Sequence, residues 1–555
     1  KTVGVSRTRL TGLGGGLVSE QVSIDLHGNE TRSTVRIDPS SATETRTVDT
    51  PDSNQNAVSV SLNGRLVSST SASGLTTTYG YDGLGRRTTV TDPRTGASET
   101  HYDAQGRVDY VKDAAGNPTS FAYDPATGRK VRETNALGKH SYFAYGPAGQ
   151  LMRTWGDVPY PVQYGYDEYG RRTEMTTYRV EAGWSSPTWP DGVNGDTTRW
   201  HYQESTGLLL SKEDAAGKAV RYTYGVGGRL ATRTWARSKP GGGPLVTSYA
   251  YDAATGELVG VDYNDDTADV TYAYDRLGRQ TTVTDAVGTR MFEYDPATLQ
   301  LTSETIGGLT PAVLTRYYDP TAVKGRLIGI GLGAGYTVGY GYDQVGRMMS
   351  VGWTANGSSD TAVYSRVAGG ELLAGYMTLS GFGTAYGYEP KRDLKAQVSN
   401  NWVSTVVSQY DYAYDAVGRR TSVKNSGTGF GAAAFTKWSY DERNQVVDSD
   451  RYLGTSLSDL STPVAAQGRA FTYDSIGNRA SSTINTTSTS YTPNELNQYD
   501  AVGREEPTYD DDGNMLGEGE KLLTYNAENQ LVGVVPASVQ DGDERVTFVY
   551  DYMGR

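Results

Sequence analysis

One short phrase constrains this chain more than any other feature, because it keeps returning: aromatic-x-Tyr-Asp-x-x-Gly-Arg. It stands as YGYDGLGR at Tyr79–Arg86, YGYDEYGR at Tyr164–Arg171, YAYDRLGR at Tyr272–Arg279, YGYDQVGR at Tyr340–Arg347 and YAYDAVGR at Tyr412–Arg419. The invariant positions are therefore Tyr81, Asp82, Gly85 and Arg86; Tyr166, Asp167, Gly170 and Arg171; Tyr274, Asp275, Gly278 and Arg279; Tyr342, Asp343, Gly346 and Arg347; and Tyr414, Asp415, Gly418 and Arg419. Further Tyr-Asp pairs in the same frame begin at Tyr102, Tyr123, Tyr251, Tyr294, Tyr318, Tyr440, Tyr473, Tyr509 and Tyr550, with close spacings of 20 to 26 residues. Copies that have lost the Asp stand at Tyr145-Gly146, Tyr202-Gln203, Tyr224-Gly225 and Tyr388-Glu389. A chain built this way is read through its repeat, not through a prior of so many residues per domain.

The physics of one unit is local. Aromatic-x-Tyr alternates with period two, so both rings fall on one face of a strand. Asp starts a turn, because its carboxylate accepts backbone N–H groups a few residues on. Gly three residues later supplies the positive φ that ends a type I turn with a bulge. The Arg/Gln-x-Thr-x-Val stretch that follows is β-prone and makes the return strand. Elements such as DPRTGAS (Asp92–Ser98) and DAAGNP (Asp113–Pro118) close the other end. A unit of about 21 residues thus predicts two strands of about seven residues. No apolar stripe of period 3.6 competes with this reading.

Stacked units predict one antiparallel strip of ~40 strands, ~190 Å long at ~4.8 Å per strand. Sheets of that width twist and curl, which also protects their edges. The expected fold class is all-β, with tandem hairpins forming a spiralling strip that curls into a hollow shell or barrel. At a diameter of ~50 Å such a strip goes round about once, and so predicts an incomplete shell. Residues 1–78 read as degenerate N-terminal β repeats, carrying only IDLHGN (Ile24–Asn29) and VSLNGR (Val60–Arg65) as fragments of the turn. Residues 79–555 read as the shell wall, continuous with that part. The chain begins at Lys1 and stops at Arg555 inside a motif, which reads as an internal piece of a larger polypeptide.

Composition narrows the function classes. Tyr occurs 42 times against 8 Phe and 8 Trp, and Gly 68 times. A ring with a hydrogen-bonding tip suits a wall that is apolar and wet at once. Zero Cys excludes a disulfide framework and a thiolate metal site. The formal charge of −13, without a basic tract, argues against nucleic acid as partner. No stretch approaches the ~18 apolar residues of a membrane helix, and no signal peptide is visible at residue 1.

Candidate chemistry is sparse. His27, His101, His140 and His201 are scattered through separate repeats without metal spacing. Asp265-Asp266 and Asp510-Asp511-Asp512 fall in turns, where Asp is common; YDDDGN lacks the alternation and distal Glu of a Ca²⁺ loop. GIGLGAGY (Gly329–Tyr336) has the wrong spacing for a nucleotide loop and reads as a hairpin tip or sheet kink. The repeat arginines are expected to pair with an Asp of the same or the next hairpin, in a structural role. Two insertions break the rhythm. The Trp-bearing loop EAGWSSPTWPDGVNGD (Glu181–Asp196) either folds back on its own sheet or offers a surface for glycan or protein. SKPGGGP (Ser238–Pro244) reads as a flexible tip.

The repeated Tyr-Asp-x-x-Gly-Arg frame, and the run YTPNELNQYDAVGREEPTYDDDGNMLGEGEKLLTYNAENQLVGV at Tyr491–Val534, resemble the YD-repeat (Rhs-repeat) family of bacterial Rhs proteins, Tc-toxin BC-type shells and teneurins. The resemblance covers residues 79–555 and fades towards residue 20. It implies a hollow shell that often encloses a C-terminal toxin or an unfolded polypeptide. In bacterial members a core-associated segment with an aspartyl self-cleavage site follows the repeats, and no aspartate of this sequence matches it. The function implied is a non-catalytic structural module of a large secreted or cell-surface bacterial protein, with no catalytic residue, metal or cofactor. Its partner would be its own cargo segment or flanking chain. The alternative is an adhesion protein that uses the shell as a rigid scaffold for glycan or protein binding. An enzyme acting on polysaccharide would need a cleft with paired carboxylates, and the sequence offers no sign of one.

Overall fold

The computed structural model describes residues 5–13, 16–53, 55–309, 311–540 and 542–555, so residues 1–4 of the predicted N-terminal repeats lie outside the described residues. Among the described residues there are 47 strands, one 3₁₀ turn at Val226–Gly228 and no α-helix. Strands Val5–Leu13 to Tyr499–Val502, 42 in all, form one sheet, and the last five form a second short meander. Within each sheet every strand pairs antiparallel with its neighbours in sequence. The hairpin of Thr76–Tyr81 with Arg87–Asp92 is typical: Thr78 faces Thr91, Tyr79 faces Val90, and the register then shifts so that Tyr81 faces Arg87. That shift is the bulge the turn glycine permits. The all-β hairpin strip expected from the repeat is the fold the chain adopts. Among the described residues no helix is long and apolar enough to cross a membrane.

Contacts between distant residues reveal how the strip closes. Asn29 donates to the carbonyl of Lys324, 295 residues on. Arg94 pairs with Asp393, Lys139 with Glu442 at 2.9 Å, and Arg233 with Glu528 at 2.6 Å. Arg94 sits between the eighth and ninth strands and Asp393 between the thirty-third and thirty-fourth, so one circuit takes 25 strands. Asn29 and Lys324 give the same count. At ~4.8 Å per strand the circumference is about 120 Å and the backbone diameter about 40 Å. The strip therefore makes just under two circuits, the second seated on the first. This corrects the expectation of a single turn of a wider barrel: the sheet curls more tightly than assumed, and it closes on itself along a seam.

The wall is one layer thick. The chain exposes 30775 Å², whereas a compact protein of 59.9 kDa exposes only about 19,000 Å². Most strand residues are half-buried on either face. Two denser cores stand out. One gathers Tyr142, Trp155, Tyr178 and Trp184; the other gathers Val261, Val270 and Val283.

Candidate functional site: the Tyr-Asp turn and the coil seam

The five full copies of the motif build the same object. In the first, Gly85 takes φ 82° and donates its N–H to the Asp82 carbonyl at 2.9 Å, while Asp82 N–H returns to the Arg86 carbonyl at 3.0 Å. One Asp82 carboxylate oxygen accepts from the N–H groups of Leu84 and Arg86 at 3.0 and 2.9 Å. The other accepts from Arg86 Nε at 2.7 Å. The same Asp–Arg pair recurs at Asp167–Arg171 (2.6 Å), Asp275–Arg279 (2.7 Å), Asp343–Arg347 (2.8 Å) and Asp415–Arg419 (2.6 Å), with Gly170, Gly278, Gly346 and Gly418 at φ 77–86°. The Arg86 N–H, followed by its guanidinium, holds the Asp82 carboxyl below the usual carboxylate range. Of the two partners expected for the arginines, the geometry selects the Asp of the same hairpin. Where Asn replaces Arg, as at Asn478 and Asn514, its Nδ2 reaches the same carboxylate oxygen of Asp474 and Asp510 at 2.8 and 2.9 Å.

The tyrosine and the arginine then tie successive hairpins together. Tyr81 Oη donates to the carbonyl of Leu66, the first apolar residue of the preceding return strand, at 2.7 Å. Tyr166, Tyr274, Tyr342 and Tyr414 do the same to Leu151, Leu258, Leu327 and Lys395 at 2.6–2.9 Å. Arg86 lies over the ring of Tyr102 in the next hairpin, 4.6 Å from its centre, and Arg171, Arg279 and Arg419 lie over Tyr202, Tyr294 and Tyr440 at 4.2–4.8 Å. Such stacking contributes about 0.5–1 kcal/mol at an exposed site. Arg347 departs from the pattern and reaches Glu371 at 2.8 Å. The hydroxyl bond explains why the chain uses Tyr so heavily and Phe so little, which pattern reading alone did not reveal.

The seam joins the return-turn edge of the first coil to the Tyr-Asp-turn edge of the second. Its polarity is uneven: cations come mostly from the first coil and carboxylates from the second. Arg237 bonds Asp510 Oδ2 at 2.9 Å and the Asn526 carbonyl at 2.5 Å, and lies 3.5 Å from Asp512. Ala236 N–H donates to Asp512 at 2.8 Å, and Lys218 pairs with Asp511 at 2.9 Å. Burial pushes the Asp512 carboxyl up. Arg290 joins Glu304 at 2.6 Å and Asp551 at 3.1 Å. The acidic turn Asp510-Asp511-Asp512, expected from the sequence only as a place where Asp is common, is thus a seam partner. Among the described residues no group of three or more His, Asp or Glu is placed to hold a metal ion.

The remaining candidates fall apart from one another. His101 bonds Asp109 at 2.6 Å and stacks on Tyr110, while His140 meets Thr134 at 3.0 Å. Gly329 and Gly331 lie in a strand, under the ring of Tyr317. Lys239 and Gly243 close the tip of the SKPGGGP hairpin. The Trp loop folds inward: Trp184 is 1 % exposed, its Nε1 donates to the Val180 carbonyl, and Trp155 Nε1 donates to the Ser186 carbonyl. Glu181 on this loop accepts from Ser475 of the second coil at 3.1 Å.

A family model for the RHS repeat matches residues 61–97, the stretch that contains the first full turn. Residues 61–97 thus carry a recognisable RHS repeat. Among curated relatives, this chain is 28% identical over 264 residues to the tRNA3(Ser)-specific nuclease WapA of Bacillus spizizenii, a match covering 46% of this chain and 10% of that protein. Among solved structures it superposes on the TcdB2–TccC3 complex with TM-score 0.62 at 16% identity, covering 95% of this chain and 31% of that one. The Tc holotoxin pore of Photorhabdus luminescens gives TM-score 0.60 at 15% identity, covering 95% and 30%. The chain therefore spans about a tenth of the curated relative and under a third of these solved chains, and the structural likeness speaks to fold.

Proposed function

We propose that the chain is a non-catalytic wall module of a secreted or cell-surface bacterial protein, and that it encloses a polypeptide cargo. The observation that carries this reading is the seam: a single-layer strip that returns on itself every 25 strands makes a continuous curved wall with two wet faces. With side chains of about 5 Å on the inner face, the lumen is about 30 Å across. A folded 100-residue domain has a radius of gyration of about 13 Å and its unfolded chain about 30 Å. A radius of gyration of about 13 Å corresponds to a sphere about 34 Å across, so the lumen suits a folded segment of somewhat under 100 residues or a confined unfolded one. Every Asp of a full motif is engaged by its own turn, which leaves the repeat a structural role. A nuclease and a holotoxin pore among the similar proteins support a toxic enzyme as cargo.

The test is protease protection in the full polypeptide from its natural source, with intact mass and a density map of the interior. A segment outside the wall repeats should resist protease, and should become digestible when Arg94 and Arg237 are changed to Met. Digestion at one rate with the wall sound or opened, or an empty interior around a chain of this mass, would exclude encapsulation.

A further inference from the structure

The antiparallel ladder is broken once. Among the described residues every strand pairs with the next in sequence except Tyr499–Val502 and Thr508–Tyr509, and that break divides the long sheet from the last five strands. Two adjacent units show why. The turns that begin at Asn494, Asp510 and Asn526 follow one another at 16 residues, so both units are short and of equal length. In the second unit Gly517 faces Leu522 and Glu518 faces Lys521. In the first, Val502 still bridges Glu505, but Ala501 and Glu506, the counterparts of Gly517 and Leu522, do not pair. The next residue is Pro507 in the first unit and Leu523 in the second. Proline has no N–H and holds φ near −65°, away from the extended values of a strand, so the ladder stops there.

Nothing else bridges the line. Among the described residues no hydrogen bond, ion pair or ring contact joins residues 469–502 to residues 508–536. Tyr509 lacks the hydroxyl bond to the preceding return strand that Tyr473 and Tyr550 make at 3.0 and 2.8 Å. The last meander is fastened to the first coil instead. Lys218, Arg237 and Arg233 hold Asp511, Asp510 and Glu528. The Ala527 N–H donates to Thr267 Oγ1 at 2.8 Å, and the Tyr552 N–H to Asp285 at 2.8 Å. The connection itself, Gly503 to Glu506, is exposed.

We propose that residues 503–507 are a hinge in the wall. The strands from Thr508 to Pro536 swing as one plate against those that end at Val502, and the first coil, not the plate's neighbour in the strip, is the latch. The line lies within the wall, so the hinge holds whatever adjoins the two sheets elsewhere. Local opening proceeds by contiguous cooperative units, and a plate without a ladder at one side is such a unit. Opening leaves a slit parallel to the strands. That an extended cargo segment passes through this slit rests on the encapsulation reading; the hinge itself does not.

Spin labels test the hinge on the whole chain without cargo, since the chain has no Cys of its own. T486C with E520C puts labels on exposed return turns on either side of the line, four strands apart; S358C with S404C has the same spacing across unbroken ladder. Double electron–electron resonance should give one narrow distance for the control pair and two components for the hinge pair. Arg237→Met should at least double the share of the longer component, and Pro507→Leu should at least halve it, with the control pair unchanged in both. A hinge pair as narrow as the control, in the unmodified chain and in Arg237→Met alike, overturns the hinge. So does a control pair that broadens in step with it, which would mean general loosening of the strip. A share unmoved by Pro507→Leu overturns the assignment of the break to proline. None of these failures touches encapsulation, which protease protection of a cargo segment tests separately.

Discussion

Removing Arg237 is the sharpest perturbation of the seam. The side chain is 10% exposed and pairs with Asp510 and Asp512, whose side chains are 12% and 1% exposed. Arg237→Met keeps the apolar stem but leaves two carboxylates at the junction without their cation. Breaking a buried pair in this way costs about 3–5 kcal/mol. At about 1.4 kcal/mol per decade, that is a roughly 10²- to 10⁴-fold rise in the opening equilibrium of whatever unit Arg237 holds. That unit is the last meander, Thr508–Tyr509 to Leu531–Pro536, because stacked repeats exchange stability with their neighbours and not with the whole. Amide hydrogen exchange should therefore speed up in residues 508–536 while the strands of residues 76–177 keep their protection. The sign with pH follows from Asp512. Its folded carboxyl lies above the ordinary range, so the native state binds more protons than the unfolded one, and the variant's deficit should shrink as pH falls from 7 towards 4. Adding Asp510→Asn and Asp512→Asn should restore exchange to within about tenfold of the unmodified chain, since paired removal of buried charges is close to neutral. Faster exchange spread evenly along the strip, or a change under tenfold in residues 508–536, would refute the reasoning.

Other expectations are smaller or more local. Tyr274→Phe should destabilise its hairpin by about 1 kcal/mol through loss of the bond to the Leu258 carbonyl, read as faster exchange in the strands of Tyr274 and Leu258. Gly170→Ala should cost about 1 kcal/mol, since only its φ of 78° resists a side chain; Gly156→Ala should be far worse, because a Cβ there would lie 2.3 Å from the His140 carbonyl oxygen, and a denaturant series on the two variants separates them. Trp184→Ala should cost about 3–5 kcal/mol and free the loop of residues 181–196, seen as proteolysis confined to that loop. Lys139 holds the Glu442 carboxyl below its usual range, and Glu442 raises the Lys139 ammonium; the pair's coupling should be present at pH 7, fade as pH falls below the ordinary Glu value of 4.5, and fade again above the ordinary Lys value of 10.5, as a double-mutant cycle at pH 3, 7 and 11 would show.

How much of this was legible in the sequence depends on distance along the chain. Asp82, Gly85 and Arg86 meet within five residues, so spacing alone predicts their turn. The bond from Tyr81 to Leu66 spans 15 residues, and only the excess of Tyr over Phe hinted at it. Seam contacts such as those of Ala527 with Thr267 and of Lys139 with Glu442 span 260 and 303 residues, and nothing in YDDDGN says that Asp510 and Asp512 face Arg237 and not water. Curvature is the hardest quantity to read, because it is a small angle summed many times. A barrel of ~50 Å needs about 33 strands per circuit, or about 11° of turn per strand, whereas 25 strands require about 14°. A difference of about 3° per strand is well inside the scatter of sheet twist, yet over 47 strands it separates a wall that closes once from one that closes nearly twice. The seam resolves that ambiguity energetically: only the tighter curl brings Arg94, Lys139, Arg233 and Arg237 opposite carboxylates of the next coil, so the pairing between coils, not the repeat itself, selects the diameter.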